Sequence, residues 1–192
     1  MLKRILDITK NGFRYLLLRL IKKFKYLGWP VVFGSGIEIE NANIVSIGSL
    51  SNIGKDTWMR SALSGLGNGI TIGSGVDIGR RNFISCTSEI IIGDNCVFGP
   101  NVTVVDNNHE YKDLSKAIKA QGSSNPVSIS IGNDCWLGSN VVVLPGTNIG
   151  KHCVIAANCV VSGTVPNYCV VAGIPGKVVK KFDRKLGLWV KR

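Results

Sequence analysis

Histidine is scarce in this chain: its 192 residues include two, His109 and His152. Two are too few for a zinc ion that takes three imidazoles, and no metal is expected. None of the six cysteines forms a C-x-x-C pair, so a thiolate zinc site is not expected either. No apolar run approaches the ~20 residues that a membrane-spanning helix needs. The first residues show no signal-peptide cleavage pattern. The glycine-rich stretch Ser64-Gly-Leu-Gly-Asn-Gly69 is not followed by Lys-Ser/Thr, so it is no phosphate loop and reads as a bulging corner. Acids number 12 against 23 Lys and Arg, for a net charge of +11. No motif for reading bases accompanies that charge, and no nucleic-acid partner is expected.

The charge is local. Residues 1–27 hold eight of the Lys and Arg residues and one acid, Asp7, a net +7 that leaves +4 for the rest. In the same segment Leu2, Ile5, Leu6, Thr9, Phe13, Leu16, Leu17, Leu20, Phe24 and Leu27 recur at three- and four-residue steps. That spacing predicts an amphipathic helix with one apolar and one basic face. Two roles fit it: packing on the domain or a partner subunit, or lying on an anionic membrane surface.

What the chain has in quantity is a six-residue repeat. From Ile131 to Pro166, successive sixes open on Ile131, Leu137, Val143, Ile149, Ile155 and Val161, mostly with Gly or another small residue second. The fifth place holds Cys, Val or Thr. Period six fits neither an amphipathic helix nor a hairpin; it is the signature of a parallel β-helix, an all-β solenoid. Each hexapeptide is a short strand with its aliphatic side chain inward, and the glycine is expected to permit the corner. One rung cannot bury its apolar face alone, so rungs must stack. Three per coil would place residues eighteen apart over one another: Ile131 with Ile149, Leu137 with Ile155, Val143 with Val161. Cys96, Cys135, Cys153 and Cys159 fall at the compact fifth place and read as small buried hydrophobes, free thiols of a reducing cytoplasm.

Weaker repeats run back to Val31, and between Ser85 and Ile92 the count slips by two residues, which predicts one longer corner. After Val104 the pattern stops for about two dozen residues, and a long ordered excursion in a solenoid is usually functional. His109 lies in it. His152, fourth in its hexapeptide, reads as a surface residue. No residue is arranged as a covalent nucleophile: Ser139 has no adjacent base, and the cysteines read as buried.

The repeats, the string Gly99-Pro-Asn-Val-Thr-Val-Val-Asp-Asn-Asn-His109 and the closing Val170-Val-Ala-Gly-Ile-Pro-Gly-Lys-Val-Val179 resemble the hexapeptide-repeat acyltransferases. The branch is that of galactoside, maltose and xenobiotic acetyltransferases and polysaccharide O-acetyltransferases, and the likeness covers about residues 37–182. It implies a left-handed helix, a homotrimer, and acetyl-CoA lying in a groove between subunits. It places the family's catalytic histidine on His109. Imidazole suits that task, because a sugar hydroxyl is a poor nucleophile and a base with free pKa about 6.5 is neutral enough at pH 7 to take its proton. Asp106, Glu110 or a backbone carbonyl would orient the ring. Backbone N–H groups would hold the oxyanion during direct transfer in a ternary complex. Trp136, Ser139 and Ala157 match positions lining the cofactor groove, and Lys177 and Lys180 match basic positions that meet its phosphates. Two positions depart from the pattern: Cys86 stands near a family asparagine that holds the acceptor, and Gly163 replaces a basic residue.

The resulting division is a basic helical segment 1–28, a β-helix acyltransferase domain 29–182 with its active-site loop at about 105–128, and a basic tail 183–192. O-acetylation of a saccharide in surface-polysaccharide synthesis is the expected activity, in the cytoplasm, with the inner membrane face as a peripheral location. The alternatives are N-acetylation of an amino sugar, free or nucleotide-linked, and a non-catalytic β-helix scaffold. The γ-type carbonic anhydrase, a metal enzyme on the same fold, is disfavoured by the histidine count.

Overall fold

The computed structural model describes residues 2–61 and 68–192, the side chains of 2–11 excepted. The expected bulging corner at Ser64-Gly-Leu-Gly67 therefore lies outside the described residues. Three sheets of parallel coils form the sides of a triangular prism. Among the described residues the first face has seven strands, from Tyr26–Leu27 to Thr164–Val165. The second has nine, from Val31–Phe33 to Leu188–Lys191, and the third six, from Glu38–Glu40 to Val160–Val161. The chain visits the faces in that order, so each circuit adds a strand to every face. The fold is a left-handed parallel β-helix with an N-terminal helix and one long excursion loop.

Stacking follows the six-residue period. Ile131 pairs in register with Ile149, Leu137 with Ile155 and Val143 with Val161. All six side chains are buried, at about 1.5–3 kcal/mol each. The fifth-place cysteines are buried free thiols, and Sγ of Cys96 and Cys135 donate to the carbonyls of Gly132 and Gly150 in the next coil at 3.2 and 3.1 Å.

The corners revise the role of the glycine. The left-handed residue is the fourth in five of the six hexapeptides from Ile131: Asp134, Asn140, Gly146, His152 and Asn158 have φ of 61°, 60°, 76°, 53° and 60°. Asn and Asp tolerate that conformation best among non-glycine residues, which accounts for their frequency there. The second-place glycine is required by close stacking instead. A Cβ on Gly138 would stand 2.6 Å from the backbone N of Ala157.

Both ends of the domain extend past the expected boundaries. Tyr26–Leu27 already pairs with Val45–Ile47 on the first face, so the solenoid begins before residue 29. The tail is structured: Lys177–Asp183 folds antiparallel on Cys169–Ala172, and Leu188–Lys191 folds back on it. Helix α1, Leu2–Ile21, is no loose appendage. The Tyr15 hydroxyl donates to the Gly28 carbonyl at 3.1 Å and Lys22 Nζ to the Ile39 carbonyl at 3.0 Å. Leu18, Phe24 and Leu27 pack against the core. Its C-terminal half thus caps the first coil.

Candidate active site

The excursion after Thr103–Val105 leaves the third face and returns at Ile129–Ile131 on the first. Its two limbs are zipped together. Val127 N donates to the Asp106 carbonyl at 2.8 Å, Ser124 N to Asn108 at 2.8 Å and Glu110 N to Gly122 at 3.0 Å, with a bridge between His109 and Ser123. Farther out, the Gln121 amide holds the tip by bonds of 2.9 and 3.0 Å to the carbonyls of Asp113 and Lys116, beside the short helix α2, Ile118–Gln121. His109 therefore stands on a braced ribbon, exposed, with Nδ1 3.4 Å from the Gly122 carbonyl. That contact favours a proton on Nδ1, which leaves Nε2 free to accept one.

Neither carboxylate proposed for orienting the ring is placed to do so. Asp106 is fully buried, and its oxygens accept from the backbone N of Thr87 at 2.8 and 2.9 Å and of Ser88 at 2.7 Å. It braces the longer corner that the slipped repeat count anticipates. Glu110, the next residue along the ribbon, lines a separate shallow surface with Lys112, Asp113 and Lys116. Adjacent positions on an extended ribbon project to opposite sides.

His109 opens onto a depression of about 380 Å³, lined also by Arg60, Phe83, Ser85, Cys86 and Asn108. Phe83 packs at a tilt of 41° against Trp58, 4.9 Å between centroids. Trp58 Nε1 donates to Glu40 at 2.9 Å, and Arg60 pairs with the same carboxylate at 3.6 Å. An aromatic pair next to an Arg–Glu ion pair and a hydroxyl is suited to a polyhydroxylated ring. Cys86 is no rival nucleophile: burial, then the nearby Asp106 carboxylate, push its thiol up to about 12.

The sequence reading missed Trp58, Arg60, Phe83 and Ser85. Their signal is the outward places of Glu38–Glu40, Trp58–Ser61 and Phe83–Cys86, which pair in register. Those coils advance by 20 and then 25 residues instead of eighteen, so the period does not align them.

The groove residues lie elsewhere on the prism. On the outer side of the second face Val97, Trp136, Val154 and Val170 stack in one column that continues into Lys180 and Lys191. Trp136 is 55% exposed. Ser139 and Ala157 stand together at the edge between the second and third faces, and Lys177 pairs with Ala172 above them. An apolar stripe ending in lysines is what a pantetheine arm with phosphates would require. His109 stands on another edge, between the third and first faces, so one chain does not bring it together with these residues. His152 is exposed as expected; it pairs with Asp134 and stacks on Trp189 at 6.3 Å.

Comparison with known proteins agrees with this architecture. Residues 128–163 match the bacterial transferase hexapeptide family (six repeats), and residues 89–105 match the hexapeptide repeat of succinyl-transferase. A putative lipopolysaccharide biosynthesis O-acetyl transferase of Escherichia coli is 34% identical over 56% of this chain and 58% of its own. A probable acetyltransferase of Mycobacterium tuberculosis is 36% identical over 78% of this chain and 49% of its own. The galactoside O-acetyltransferase of E. coli is 28% identical over 76% and 71%. The chain thus spans about half the length of the first two curated relatives. Among solved structures, a hexapeptide-repeat acetyltransferase of Vibrio cholerae complexed with acetyl-coenzyme A is 25% identical, covering 90% of this chain and 78% of that one, TM-score 0.57. An N-acyltransferase of Bacillus cereus, in complex with dTDP and coenzyme A, shares the fold at TM-score 0.74 and 17% identity, over 88% and 91%. By its repeats, its coil and these relatives, the chain is similar to the hexapeptide-repeat acyltransferases, and residues 128–163 carry the hexapeptide repeat itself.

Proposed function

We propose that the protein transfers the acetyl group of acetyl-CoA to a saccharide hydroxyl in surface-polysaccharide synthesis at the cytoplasmic membrane face, with His109 as general base. The observation that carries this reading is His109 on a braced ribbon, facing a depression lined by Arg60, Phe83 and Ser85. Nε2 takes the hydroxyl proton as the oxygen attacks the thioester carbon, and coenzyme A leaves as the thiol. Relatives that act on hydroxyls support an O-acetyl product, and an aromatic pair beside an Arg–Glu ion pair suits a neutral sugar ring.

The working unit is a homotrimer. His109 and the stripe of Trp136, Ser139 and Ala157 occupy different edges of one prism, so a complete site takes the histidine edge of one copy and the cofactor edge of the next. Lys177 and Lys180 would meet the cofactor phosphates. Equilibrium sedimentation should show three chains. Lys177→Ala with Lys180→Ala should weaken coenzyme A by roughly tenfold or more, at one to two charge-assisted contacts, and dephospho-coenzyme A by less. Equal loss for the two ligands would remove the lysines from the 3′-phosphate.

A further inference from the structure

Helix α1 meets the solenoid with the wrong side for an ordinary amphipathic helix. Tyr15, Leu18 and Lys22, at steps of three and four, face the coil. Phe13, Leu16, Leu17 and Leu20 repeat on the opposite stripe at the same steps, with Ile21 beside them. They are 66%, 53%, 43%, 72% and 66% exposed. Monomeric proteins rarely leave so continuous an apolar stripe in water, and a patch of this kind marks a contact.

We infer that this stripe lies in the headgroup boundary of an anionic lipid bilayer. The charge around it selects that occupant. Residues 1–27 carry eight Lys and Arg against Asp7, and each cation close to an anionic surface strengthens binding about fivefold. Lys23 is exposed, two residues past the end of the helix. A second copy of the helix set against the first would bring like charges to the rim of the contact, which is unfavourable. The helix lies on the bilayer and does not cross it: among the described residues, no helix is long and apolar enough to span. The inference rests on α1 alone, and acyl transfer to a soluble acceptor is independent of it.

Deleting the segment is a poor test, because Phe24 and Leu27 cover the core and their loss would uncap the first coil. Surface substitutions avoid that problem. The full chain should co-sediment with phosphatidylglycerol-containing vesicles at low salt, far less with phosphatidylcholine alone, and should detach as salt screens the charges. Leu16→Gln, Leu17→Gln and Leu20→Gln together should weaken vesicle binding roughly tenfold or more, with the thermal midpoint and sedimentation mass unchanged. Lys10→Gln with Lys23→Gln should weaken binding and flatten its salt dependence. The inference is overturned if the full chain ignores anionic vesicles at low salt, or if the triple variant binds them as well as wild type. A triple variant that instead falls to a smaller oligomer would assign the stripe to a second copy and overturn it equally. Unchanged acetylation of a soluble acceptor by the triple variant keeps this test separate from the fate of the catalytic reading.

Discussion

His109→Ala should lower kcat by ~10²–10⁴, the range for removing a general base, while coenzyme A binds with unchanged affinity. The structure gives both halves of that expectation a reason. The imidazole is exposed toward the depression, its Nδ1 faces the Gly122 carbonyl, and no other histidine lines that site. The stripe of Trp136, Val154 and Val170 proposed for the cofactor lies on another face, so truncating His109 leaves it intact. The substitution should cost little stability, since the limbs of the loop are joined by backbone bonds and the ring is not part of the core. Turnover within a few-fold of wild type, or a parallel loss of coenzyme A affinity, would show that His109 is not the base.

Asp106→Ala should behave in the opposite way: a large loss of stability, measured by denaturant unfolding, with the chemistry spared in the molecules that fold. The carboxylate accepts from the N–H groups of Thr87 and Ser88 while fully buried. Its removal strands donors of the long corner, at about 3 kcal/mol. Asp106→Asn keeps one acceptor oxygen and should lose roughly half as much, with kcat within several-fold of wild type and an unchanged pH profile. If Asp106 oriented the ring, Asp106→Asn would instead depress kcat nearly as far as His109→Ala, at little cost in stability. Denaturant curves and kinetics on the same two variants separate these roles.

The repeat run states the coil almost completely. Period six fixes which residues point inward, and Ile131 over Ile149 follows by counting. The two-residue slip after Ser85 marks the long corner, and the break after Val104 marks the loop that carries His109. What the chain does not state locally is what happens between coils. Asp106 reads as a loop carboxylate until Thr87 and Ser88 are seen directly beside it, because that proximity depends on the coil length. The second-place glycines look like turn formers, yet close backbone stacking requires them, and the turn belongs to the fourth residue. The hairpin of residues 177–191 shows no six-residue period, since its strands are antiparallel. Amphipathicity correctly predicts α1, but an apolar stripe normally implies burial. Only the placement of Tyr15 and Lys22 against the coil reveals that this stripe faces outward.

The most direct test of the catalytic reading is the product itself. The intact protein should be incubated with acetyl-CoA and a set of saccharides that includes neutral glycans and amino sugars, followed by mass analysis and mild base treatment. The account predicts an acetyl increment on a neutral saccharide, removed by base as an ester is, with coenzyme A released in equal amount and both lost in His109→Ala. An increment confined to amines and stable to base, or no increment on any saccharide, would contradict it.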